Sequence, residues 1–109
     1  MYQVQINKAN QIVPVTMVDN SGSLLTGLTS PTVQISKAGA AYASCDDGTF
    51  AEIGYGDYTV QLSEVDTDTS GLLVVRVKDA TSAETKVLCW VGVADAAQRK
   101  IITTDSYFR

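Results

Sequence analysis

A chain of 109 residues is enough for one domain and too short for two separate cores. Its 45% apolar and 18% charged residues exclude disorder as a whole-chain description. The net charge of −4, with most acids between Asp46 and Glu84, excludes the basic face that nucleic acid requires.

The first eleven residues, MYQVQINKANQ, read as a polar N-terminal arm over residues 1–11. They hold no basic segment followed by an apolar run, and no window of the chain approaches 18 uninterrupted apolar residues, so neither a secretory signal nor a membrane span is expected. Val13, Val15 and Met17 then alternate with Pro14, Thr16 and Val18 in the period of a strand. Pro14 has no N–H to give a ladder, so this strand belongs at a sheet edge or begins its pairing irregularly. Asp19-Asn20-Ser21-Gly22 supplies a turn. Residues 32–36 form the next strand, with Val33 and Ile35 on one face, and Lys37-Ala38-Gly39 turns the chain into a short arm over residues 40–44.

Residues 50–53 and the alternation of Tyr58, Val60 and Leu62 are the two arms of a hairpin. Gly54 and Gly56 supply the positive φ that its connection needs. With one glycine missing and no helix following, Gly54-Tyr55-Gly56 is turn chemistry and not a phosphate cradle. Two longer strands follow over residues 72–79 and 86–93, with Leu73, Val75 and Val77 sharing one face of the first. In the second, Val87, Cys89, Val91 and Val93 oppose Leu88 and Trp90. About seven short strands with regular turn signals predict an all-β, immunoglobulin-like antiparallel β-sandwich over residues 12–93, with a small jelly roll or barrel as the alternative. Residues 94–109 form a C-terminal extension. Ala94-Asp95-Ala96-Ala97-Gln98-Arg99-Lys100 suits one or two helical turns, and Ile101, Ile102, Tyr107 and Phe108 are apolar anchors for folding back onto the body or docking on another chain.

The chemistry that is missing constrains function as much as the pattern does. Histidine is absent, which removes Ser-His-Asp and Cys-His nucleophile arrangements and histidine metal sites. Asp46-Asp47 and Glu52 sit near turns and read as solvated acids rather than a carboxylate pair in an aromatic cleft. Asp66-Thr67-Asp68-Thr69-Ser70-Gly71 matches the start of a calcium loop, but the twelfth position, which needs a bidentate acid, is Val77. The plainer reading is a polar loop capped by Ser63, Asp66 or Thr69. Cys45 and Cys89 form no CxxC motif, and cytosolic synthesis argues for two unpaired thiols. Trp90 and Tyr58 are a candidate sugar-stacking platform, although a tryptophan inside a valine-rich strand is more often core or subunit interface. Tyr42 and Tyr55, near turns, suit exposed contact, whereas Tyr58 suits burial.

The succession Val15-Thr16-Met17-Val18-Asp19, Gly22, Leu24-Leu25-Thr26-Gly27-Leu28-Thr29 and Val33-Gln34-Ile35-Ser36-Lys37-Ala38-Gly39 carries a resemblance, as does its continuation. That continuation is Ile53-Gly54-Tyr55-Gly56-Asp57-Tyr58, Leu62, Asp66-Thr67-Asp68-Thr69-Ser70-Gly71 and the valine-rich strand after it. It resembles small immunoglobulin-like β-sandwich structural proteins of tailed bacteriophages, over residues 13–93. The resemblance implies a non-enzymatic virion component without catalytic residues, cofactor or metal. Capsid decoration is the leading role; a tail, baseplate or fibre-associated module, or a carbohydrate- or cell-surface-binding domain, is the alternative. The expected partners are phage capsid or tail proteins and further copies of the chain on the particle, after synthesis in the host cytoplasm, with neither nucleic acid nor membrane involved. The candidate interface residues are Tyr55, Ile101, Ile102, Tyr107 and Phe108.

Overall fold

The computed structural model describes residues 2–92. Their strands in chain order are β1 (Tyr2–Gln5), β2 (Gln11–Thr16), β3 (Thr32–Lys37), β4 (Ala43–Ser44), β5 (Phe50–Gly54), β6 (Asp57–Leu62), β7 (Gly71–Lys78) and β8 (Thr85–Gly92). Among the described residues there is no helix. One sheet has the order β1-β8-β7-β3-β4 and the other β2-β6-β5. The two share a single core, so the domain is an immunoglobulin-like β-sandwich and not a closed barrel.

Strict alternation builds that core. Val13 and Val15 of β2, and Tyr58, Val60 and Leu62 of β6, face Ile35 of β3, Leu73, Val75 and Val77 of β7, and Cys89 and Val91 of β8. The strands expected from periodicity all form, most with ends displaced by about one residue; the strand expected over 13–18 runs Gln11–Thr16, and the arm expected over 40–44 is strand at Ala43–Ser44 alone. Pro14 lies in β2, whose one partner among the described residues is β6, so the missing N–H falls on an edge as its chemistry requires.

The N-terminal segment departs from the polar arm expected for it in the sequence. Tyr2–Gln5, read there as part of an arm, is a strand of the larger sheet. It pairs with β8 in parallel, Val4 opposite Val91, and buries Val4 in the core. The ladder continues past the strand, with the Ile6 N–H donating to the Gly92 carbonyl at 2.8 Å. The Gln11 side chain closes the loop between β1 and β2. Its amide oxygen accepts from the Gln5 N–H at 2.6 Å, and its amide nitrogen donates to the Gln5 carbonyl at 2.7 Å. Among the described residues the sandwich therefore has eight strands, and one of its pairs is parallel.

Candidate interaction surfaces

The two ends of β6 carry different constructions. At the Asp57 end, β5 and β6 are joined by Tyr55 and Gly56 alone, both at positive φ, 56° and 85°. That is the backbone of a two-residue hairpin connection whose twist matches the strands. Gly56 is held from two sides: its carbonyl accepts from the Met17 N–H at 2.9 Å, and a Cβ there would stand 2.9 Å from the Leu24 Cβ. Gly56→Ala combines a left-handed backbone with that contact and is expected to cost about 2 kcal/mol, read as a drop in the urea midpoint. A midpoint unchanged within error would show that Leu24 yields and the turn tolerates a side chain.

Beneath the tip, the Tyr58 ring is fully buried and stacks on Phe50 with centroids 4.6 Å apart. Its hydroxyl donates to the Leu25 carbonyl at 2.8 Å and accepts from the Leu28 N–H at 3.3 Å. The Glu52 carboxylate accepts from the Gly27 N–H at 3.1 Å. The segment Leu24-Leu25-Thr26-Gly27-Leu28 is thus fastened across the end of the smaller sheet. Tyr55 projects from this rigid base with 88% of its surface exposed, and Ile53 and Leu24 are exposed at the same end.

At the opposite, Leu62 end, the calcium-like loop is a structural bracket. Asp66 is buried and accepts from the N–H groups of Asp46 at 2.7 Å, Asp47 at 3.1 Å and Ser63 at 2.9 Å, from the Ser63 hydroxyl at 3.2 Å and from the Cys45 thiol at 3.3 Å. Burial by itself would raise the Asp66 carboxyl, but these donors outweigh it and hold the group below the ordinary aspartate value. The Ser63 hydroxyl accepts from the N–H groups of Val65 and Asp66, so the predicted capping role falls on Ser63, over a turn rather than a helix. Asp68, the other candidate oxygen donor, is exposed and paired with the Lys37 ammonium at 2.9 Å, which holds its carboxyl below the usual range. Both Asp66 oxygens and the Asp68 Oδ1 are thus engaged by the protein's own donors.

The remaining candidates separate in space. Asp47 accepts from the Thr49 hydroxyl at 2.6 Å within its own turn, while Glu52 holds Gly27, so the acids do not converge. Both cysteines are free. Burial is the first cause that pushes the Cys45 thiol up to about 12, reinforced by Asp66, and burial pushes Cys89 up to about 11, so both stay protonated at neutral pH. Tyr58 and Trp90 do not form one platform: Tyr58 faces the core from the smaller sheet, and Trp90 stands on the outer face of the larger one, 44% exposed. Tyr42 lies under the Arg76 guanidinium, 6.0 Å from the ring centre. Ile101, Ile102, Tyr107 and Phe108 lie outside the described residues.

No family model matches the chain, and no curated protein matches it. A solved structure of a chimeric titin Z1Z2 functionalized with a KLER exogenous peptide from decorin is similar over 83% of this chain and 88% of that chain, with 22% identity and a TM-score of 0.32. A likeness of that size carries no argument about activity or partners.

Proposed function

We propose that the chain is a non-enzymatic structural protein of a tailed-bacteriophage virion, with decoration of the capsid as its leading role and a tail, baseplate or fibre position as the alternative. It acts by burying surface against neighbouring subunits. The motif succession described above supports the phage reading, and one structural observation supports action through a surface. Tyr55 occupies a left-handed turn position that glycine or asparagine fills at lower cost, by about 1 kcal/mol, yet its ring gains almost nothing from packing in the domain. A bulky residue held in a costly backbone state and presented to solvent argues for a role outside the fold. Tyrosine is also among the residues that dominate binding at interfaces.

The experiment is quantitative mass spectrometry of gradient-purified particles, with this protein scaled to the major capsid protein. A copy number near that of the shell supports decoration, and a few to a few dozen copies supports a tail or neck position. Absence from particles would sink the virion reading; binding on a glycan array that depends on Tyr55 would then favour the carbohydrate-binding alternative. Tyr55→Asn is expected to leave stability unchanged or raise it by up to about 1 kcal/mol while lowering particle occupancy about tenfold. Full occupancy by the variant would remove Tyr55 from the contact.

A further inference from the structure

Over residues 72–75 of β7 and 87–91 of β8 the strands are apolar on both faces. Leu73, Val75, Val77, Cys89 and Val91 fill the core, while Leu72, Val74, Leu88 and Trp90 alternate with them on the outer face. The register sets Leu72 opposite Trp90 and Val74 opposite Leu88, so these four side chains form one block. Leu88 is 51% and Trp90 44% exposed. An antiparallel sheet with one wet face shows polar residues on that face, and near-continuous apolar runs belong to strands covered on both sides. Here Leu72-Leu73-Val74-Val75 and Val87-Leu88-Cys89-Trp90-Val91 are such runs, but the second sheet of the sandwich covers one side alone. The block is bounded by polar groups, with Gln3 beside Trp90, Ser36 beside Val74, and the Arg76–Glu84–Lys86 ion pairs beyond Leu88.

We propose that residues 93–109 of the same chain cover this block, with Ile101, Ile102, Tyr107 and Phe108 as the covering side chains. The described chain ends at Gly92, the last residue of β8 and two positions beyond Trp90, so the segment sets out from the edge of the block itself. From there the eight residues before Ile101 span up to about 27 Å. The return along β8 from Gly92 to Leu88 is about 13 Å, which leaves ample length for a reversal. The segment then brings two apolar pairs, Ile101-Ile102 and Tyr107-Phe108, to a face that lacks an apolar partner among the described residues. A short tether also gives the segment an effective concentration on the order of millimolar over its own block, above that of a second copy in ordinary solution. Gly92 lies at the Asp66 end of the sandwich, since Ile6 bonds Gly92 and the adjacent Asn7 bonds Thr67. Covering the block therefore leaves the Tyr55 tip free, and this inference does not rest on the virion reading.

Trp90 is the one tryptophan in the chain, so its fluorescence reads the block directly. The test compares acrylamide quenching and emission maximum in the full chain and in a full-length variant carrying Ile101→Ser, Ile102→Ser, Tyr107→Ser and Phe108→Ser, with mass measured by light scattering across a concentration series. The expected result is a monomer whose Trp90 is shielded at every concentration, and a variant whose Trp90 emission shifts to the red and quenches more strongly. Leu88→Lys, made in the full chain with its tail intact, should give the same change from the other side of the contact, and urea unfolding verifies that each variant is folded. Equal quenching in parent and folded variants would overturn the proposal. Shielding that appears only together with a dimer would overturn it as well, by assigning the cover to a second copy.

Discussion

Replacing Asp66 by alanine should lower the unfolding free energy by about 4 kcal/mol, a large fraction of the total stability of a domain this size. The buried carboxylate joins the connection between β4 and β5 to the connection between β6 and β7. Its removal leaves the N–H groups of Asp46, Asp47 and Ser63 and the Cys45 thiol, all part-buried, without their acceptor. Each stranded donor retains its desolvation penalty and loses its bond. Urea unfolding measures the loss, and a cost under about 1 kcal/mol, the worth of one ordinary hydrogen bond, would mean that water or a shifted loop satisfies the donors.

The same group predicts a pH dependence with a fixed sign. In the fold the Asp66 carboxyl titrates below its ordinary value, and in the unfolded chain it returns to that value. Its stabilisation is therefore complete above the unfolded value near 3.8 and is lost as pH falls through the folded one. Asp66→Asn keeps the shape but turns an amide NH2 toward N–H donors. The stability gap between parent and Asp66→Asn should be constant from neutral pH to about 5 and shrink below about 4. Asp68 and Glu84 are also held low, by Lys37 and Arg76, but they are common to both proteins and cancel in the difference. A gap that stays constant into strong acid would show that ionisation of Asp66 does not contribute.

The strands were legible because burial on one face writes itself into alternation: Val13-Val15, Tyr58-Val60-Leu62 and Leu73-Val75-Val77 are inward in the structure as the period demands. The hairpin at Tyr55 and Gly56 was legible from glycine spacing, and the exposed and buried roles of Tyr55 and Tyr58 followed from their places relative to the turn. The strand at Tyr2–Gln5 was hidden because it places one residue, Val4, in the core and takes its partner from the far end of the described chain. The bracket at Asp66 was hidden for a related reason. Its local neighbours spell a cation loop, and the donors that define it as structural, Asp46 and Asp47, belong to another connection. The outer block on β7 and β8 was written in the sequence as apolar residues at every position, but a run of that kind does not say which face finds a partner.

Tyr58→Ala should cost about 4 kcal/mol, and Tyr58→Phe about 1–2 kcal/mol, because the two changes separate what the ring and the hydroxyl do. The ring fills the core against Phe50, and phenylalanine keeps that packing. The hydroxyl alone holds the Leu25 carbonyl and the Leu28 N–H, so its loss acts on the segment that crosses the end of the sheet. Amide exchange distinguishes the two contributions. In Tyr58→Phe the Leu28 amide should exchange faster while the β6 amides keep their protection, since the ladder between β2 and β6 is untouched. The Leu25 amide, bonded to the Met17 carbonyl at 3.0 Å, should change less than Leu28. Uniform loss of protection across β6 would instead show that the hydroxyl stabilises the whole domain, and an unchanged Leu28 amide would remove the tyrosine from the role of fastening the segment. In the expected case, the base on which Tyr55 stands is fixed by one buried phenol, and loosening it should weaken any contact made at the tip even though Tyr55 itself is intact.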